Sequence, residues 1–128
     1  MGLDLHIEAD DGLTAVALST ALERSGAIEI ECVKDTVEAH FASGMRLSAD
    51  AEDTDFSLYA EDKKGLDFKV SMRCYIRIKG PEPEGESSMN ELEKIAESIA
   101  GVCSSFFVLS FQYENTLFWR DARGLHRA

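Results

Sequence analysis

Leu66-Asp67-Phe68-Lys69-Val70-Ser71-Met72-Arg73-Cys74-Tyr75-Ile76-Arg77-Ile78 alternates apolar and polar residues without a break. Period-two alternation over that length predicts a long strand with one buried face. The segment before it, from Asp55 to Glu61, alternates in the same way, with Phe56, Leu58 and Ala60 on the apolar side. Joining the two through Lys63-Lys64-Gly65 pairs Asp62 with Leu66, Ala60 with Phe68, Leu58 with Val70 and Phe56 with Met72. Only that register keeps both apolar faces together, and it puts Gly65 at the left-handed position that a three-residue hairpin loop demands. It also sets Tyr59 beside Lys69 and Asp55 beside Arg73.

The same logic applies upstream. With Ala42-Ser43-Gly44 as a loop, Phe41 faces Met45, Ala39 faces Leu47 and Val37 faces Ala49. Two such hairpins make an antiparallel meander. Residues 3–8 and 27–33 alternate as well, and a last strand region runs from Phe106 to Phe111 with an extension over Thr116 to Trp119. Two segments have helical spacing instead. The first is capped near Asp10-Asp11, carries Leu13, Val16, Ala17, Thr20 and Ala21, and ends at Gly26. The second opens on the capping box Ser88-Met89-Asn90-Glu91 and continues as an apolar stripe through Leu92, Ile95, Ala96, Ile99, Val102, Cys103 and Phe106. The expected fold is a single α+β domain over residues 1–128, a curved and mainly antiparallel sheet with both amphipathic helices on one face.

Acids outnumber bases by 24 to 13 in 128 residues, for a formal charge of −11. Nucleic acids and anionic lipids are held mainly by Lys and Arg, so this balance argues against direct binding to either. Cys32, Cys74 and Cys103 are odd in number and set among apolar residues, which suits buried, reduced thiols in a reducing compartment. The N-terminus lacks the basic and apolar regions of a signal peptide, and no apolar run is long enough to span a bilayer. A cytoplasmic protein is expected. The Gly-Leu-His-Arg-Ala tail at 124–128 is expected to fray.

Nothing local carries catalysis. There is no nucleophile elbow, glycine-rich phosphate loop or metal-ligand spacing, and His6, His40 and His126 read most simply as exposed. No enzyme activity, metal or cofactor is expected. The distribution of acids is more informative. Asp50, Glu52, Asp53, Asp55, Glu61 and Asp62 fall within thirteen residues free of Lys and Arg up to position 62, and Glu82 and Glu84 follow in a Pro- and Glu-rich loop. Solubility is the simpler reading. The functional one is a basic protein partner, steered and held by those carboxylates. Tyr59 and Tyr75, with Lys69, Arg73, Arg77 and Lys79, would add a polar sheet surface, and Trp119 is either core or an exposed anchor.

An acidic α+β domain of this size without a catalytic signature resembles the immunity proteins of bacterial polymorphic toxin systems, those of contact-dependent growth inhibition in particular. The resemblance covers the whole chain in architecture and charge and rests on no diagnostic motif. It implies a 1:1 complex with a cognate toxin domain, often a basic nuclease, whose active site is blocked. On that reading Asp50, Glu52, Asp53, Asp55, Tyr59, Glu61, Asp62, Glu82, Glu84 and Trp119 are the candidate partner contacts. The alternatives are a small enzyme or metabolite-binding domain with a pocket between sheet and helices, and a structural subunit that pairs through an edge strand.

Overall fold

The computed structural model describes residues 2–51, 55–79, 84–85 and 87–128. Its elements are β1 (Gly2–Ala9), α1 (Ala15–Arg24), β2 (Glu29–Val33), β3 (Thr36–His40), β4 (Arg46–Asp50), β5 (Met72–Lys79), α2 (Ser88–Val102), β6 (Phe107–Phe111), β7 (Asn115–Asp121) and β8 (Gly124–Arg127). The strands form one antiparallel sheet in the order β2-β3-β4-β5-β1-β6-β7-β8. The expected α+β class and the single sheet are what the structure shows.

Both helices lie on one face and pack on each other, α1 towards β2 and β3, α2 towards β7 and β8. Between the helices and the sheet is the main core, with Leu5, Ile7, Leu18, Leu22, Leu47, Met72, Ile76, Leu92, Ile95 and Phe107 all at 2% exposure or less. The β3–β4 hairpin has the expected register, with Val37 opposite Ala49 and Ala39 opposite Leu47. Its loop closes through Phe41 and Met45, and Gly44 sits at φ +92°.

The second expected hairpin does not join the sheet. From Met72 onward β5 has β4 on one edge and β1 on the other, with Met72 opposite Ala9. Residues 55–71 precede β5 and form no strand, so the expected ladder between residues 56–62 and 66–72 is absent. The chain from 55 to 71 instead leaves the sheet and folds across the face opposite the helices. Val70 donates to the Phe56 carbonyl at 3.0 Å, so Phe56 meets Val70 rather than Met72. The alternating apolar residues still have a use: Ala60 and Leu66, with Leu58 and Phe68, pack on Val108, Phe106 and Trp119 as a second small core. Gly65 does take a left-handed turn, at φ +78°.

Other boundaries shift for local reasons. Thr14, not Asp10 or Asp11, caps α1, its hydroxyl accepting from the Ala17 amide at 3.1 Å. Asp10 is engaged elsewhere, accepting from Gly12, from the Ser105 hydroxyl and from the Phe106 amide. The cap of α2 is Ser87, and Glu91 turns inward from the expected box to accept from the hydroxyl and amide of Ser43. That contact ties the β3–β4 turn to α2. The expected fraying of residues 124–128 is also wrong. Gly124–Arg127 pairs with β7, and Arg127 meets Glu93 of α2 at 2.7 Å. Cys32 is exposed on the edge strand β2, whereas Cys74 is buried and its thiol is pushed up to about 12 by desolvation.

Gly44→Ala is expected to destabilise by about 1 kcal/mol and Gly65→Val by about 2 kcal/mol, since a β-branched residue suits positive φ least. Equal melting temperatures for the two variants would contradict these turn assignments.

Candidate functional site

The sheet's second face is divided in two. Its β1–β6–β7 half is covered by residues 55–70, and its β2–β5 half is open. The division rests on Glu8. Alternation in β1 puts His6 and Glu8 on the polar face, yet Glu8 is fully buried. Its carboxylate accepts from the Tyr59 amide at 2.7 Å and the Ala60 amide at 3.0 Å, and it binds the Arg73 guanidinium at 2.9 Å. Arg73 in turn donates to the Asp55 and Ser57 carbonyls and lies 4.6 Å from the centre of the Tyr59 ring. One acid and one base, opposite each other across β1 and β5, thus pin both arms of the crossing segment.

The open half carries a groove of about 630 Å³, lined by Glu31, Val33, Thr36, Glu38, Ser48, Asp50, Arg73, Tyr75, His6 and Tyr113 among others. Strand pairing sets its floor. Glu31, Glu38, Ser48, Tyr75 and His6 lie directly opposite one another in turn across β2, β3, β4, β5 and β1. One wall is aromatic: His6 stacks flat on Tyr113 at 3.8 Å, Tyr75 tilts against His6 at 5.5 Å, and Tyr59 meets Tyr113 edge-on at 5.7 Å. Tyr113 sits in the β6–β7 turn with Gln112, at φ 62° and 53°, a backbone region that side chains other than glycine adopt at some cost. Its carbonyl is held by the Glu61 amide at 2.7 Å. Burial holds the His6 imidazole below its usual value, so at neutral pH it offers a ring rather than a charge. Tyr75 donates to Asp4 at 2.7 Å, and that bond raises its phenol.

The opposite wall is acidic. Glu31 and Glu38 are exposed and face each other across β2 and β3, and neither makes an ion pair among the described residues. Like charges in directly opposed positions destabilise a strand pair by a few tenths to about 1 kcal/mol. Asp50 adds a third carboxylate at the end of β4. Further along the same face Arg46 lies opposite Arg77, with Asp4 on the far side of Arg77.

The expected contact residues divide accordingly. Asp50 lines the groove, and Asp55 and Tyr59 stand at its border through Arg73. Glu61 and Asp62 are exposed on the crossing segment, where Asp62 pairs with Lys64 at 2.7 Å. Glu84 is exposed in the connection between β5 and α2, apart from the groove lining. Glu52, Asp53 and Glu82 lie outside the described residues. Trp119 is half-buried against the second core, with Lys64 Nζ 4.8 Å from its ring centre and His126 stacked at 5.3 Å, so it is not a free-standing anchor. His6, His40 and His126 are half-buried rather than exposed. The sheet–helix layer is filled by the main core. A hollow of about 270 Å³ lies at its β7–β8 end, bounded by Met89, Glu93, Phe118 and Arg127. Sequence reasoning missed Glu8, His6, Tyr113, Glu31 and Glu38. Places on the polar sides of β1, β2 and β3 pointed to Glu8, His6, Glu31 and Glu38, and no local signal pointed to Tyr113 in the β6–β7 turn.

No cluster of three or more metal-ligating side chains occurs among the described residues. No helix there is long and apolar enough to cross a membrane. Comparison of the chain with protein-family models and with curated proteins returns no match.

Glu8→Ala is expected to lower stability by about 3–5 kcal/mol, since it strands a buried guanidinium and two amides. Calorimetry or denaturant unfolding measures it, and a loss under about 1 kcal/mol would contradict the anchoring role. A second expectation concerns pH. Burial raises the Glu8 carboxyl above its ordinary 4.5, so Glu8 binds its proton more tightly in the folded chain. Its share of stability is therefore complete below pH 4.5 and declines as the pH climbs through the folded-state value. The stability difference between wild type and Glu8→Gln should shrink from acid towards neutral pH. A difference that grows with pH would contradict this.

Proposed function

We propose that the chain is a binding protein that holds a basic protein partner on the open half of its sheet, as an immunity protein holds its toxin. The observation that carries this reading is the open β2–β5 face itself. It is a concave surface with an aromatic wall of His6, Tyr75 and Tyr113 and a carboxylate wall of Glu31, Glu38 and Asp50. Aromatic residues supply contact energy at low entropy cost, and exposed carboxylates speed encounter with a cationic surface. The net charge of −11 acts in the same direction at long range. A 1:1 complex with a toxin domain that works on nucleic acid fits best, because such a domain presents a basic cleft for the phosphate backbone. The crossing segment, with Glu61 exposed beside Tyr113, would extend the contact.

The groove's volume favours a second reading. About 630 Å³ lies within the range of small-molecule sites. A saturable thermal shift with a single metabolite, in the absence of any protein, would support that reading.

The proposal expects a secreted protein to be encoded beside this chain, and the test is co-expression with the C-terminal domain of that protein. The domain alone should arrest growth, and the chain should restore it. Glu38→Lys should keep the melting temperature and slow association at low salt by about tenfold. A harmless neighbouring domain, or rescue and association that ignore Glu38→Lys and ionic strength, would overturn the proposal.

A further inference from the structure

We infer that the groove takes an arginine side chain from the partner, its guanidinium between the Glu31–Glu38 pair and the ring of Tyr75. The inference rests on the reading of the open face as a partner surface and names the group that fills it.

Charge comes first. Three carboxylates line the groove, Glu31, Glu38 and Asp50, against one guanidinium, that of Arg73. Arg73 is already committed to Glu8 and to the carbonyls of Asp55 and Ser57. The Tyr75 hydroxyl, the other strong donor on the floor, is committed to Asp4. An anion would therefore meet the carboxylates of Glu31 and Glu38 while the Arg73 and Tyr75 donors are engaged. A cation meets Glu31 and Glu38, whose mutual repulsion it relieves. This makes binding differential, since the unoccupied face carries an unfavourable contact that the bound state removes.

Shape then selects among cations. A carboxylate on each of two adjacent strands offers paired acceptors about 5 Å apart at Cβ, which suits the forked donors of a guanidinium. Tyr75, 39% exposed, offers a π surface on which a planar guanidinium lies better than a compact ammonium. The chain already uses this recognition internally, since Arg73 is held by a glutamate and lies over a tyrosine ring.

The test is an NMR titration of the full chain with N-acetylarginine amide, its lysine counterpart, its neutral citrulline counterpart and inorganic phosphate. The arginine compound should give saturable shifts confined to residues 31–38, 48–50, 75 and 113, in the millimolar range expected of one side chain. Lysine should bind several-fold more weakly, and citrulline and phosphate should not saturate. Glu38→Gln should weaken the arginine compound by about fivefold while leaving the melting temperature unchanged or higher, because it removes a like-charge contact. Equal binding of arginine and citrulline overturns the inference. So do shifts spread over the whole acidic surface, or saturation by phosphate. These readouts need no partner, so they are separate from the face variants that test partner binding. If Glu38→Lys abolishes partner binding but the arginine compound does not saturate, the inference falls and the partner surface stands.

Discussion

A carboxylate shut away from water must be satisfied by donors, and Glu8 obtains all of its partners from the segment that crosses the sheet and from the base opposite it. The rest of the second face follows from that constraint. Residues 59 and 60 are fixed by their amides, residues 55 and 57 by their carbonyls through Arg73, and the apolar side chains between then close on Val108 and Trp119. The crossing segment has little regular structure of its own. Its position comes from one buried ion pair and a small satellite core. An ion pair of this kind adds little net stability over a well-packed apolar pair, but removing one member is costly. Its contribution is to decide which half of the face is covered.

The uncovered half inherits its chemistry from strand order. Because β1 takes the centre of the sheet, β5 lies between β1 and β4, and Arg73, Tyr75 and Arg77 fall in the middle of a broad face rather than on a hairpin. The meander β2–β3–β4 brings Glu31, Glu38 and Asp50 alongside them. The β6–β7 turn contributes Tyr113 from the other side, held in a left-handed backbone by Glu61 and by its stack on His6. Aromatic and acidic walls thus come from segments distant in sequence. A surface with both, and with its one buried base already neutralised, suits a cationic partner.

How much of this was legible in the chain depends on the range of the interaction. The β3–β4 hairpin was readable because its loop glycine and facing apolar residues are local, and register follows from them. The helices and the α+β class were readable from periodicity. The 55–70 segment was misread, since alternation shows that a segment has an apolar side but not which neighbour will cover it. The segment closes instead on Val108, Phe106 and Trp119, which are distant in sequence. Glu8 was invisible for the same reason, because a glutamate on the polar side of a strand looks solvated until another segment folds over it. Of the candidate contacts, Asp50 lines the groove, and Asp55 and Tyr59 stand at its border through Arg73. Trp119 was ambiguous, and the structure resolves it as packing against Lys64 and His126.

Amide hydrogen exchange, with and without the bound partner protein, tests the central claim most directly. On this account partner binding protects residues 31–38, 46–50 and 113 on the open half-face and leaves α1 and α2 unchanged. Protection confined to the helices, or to the covered β6–β7 half, would contradict it.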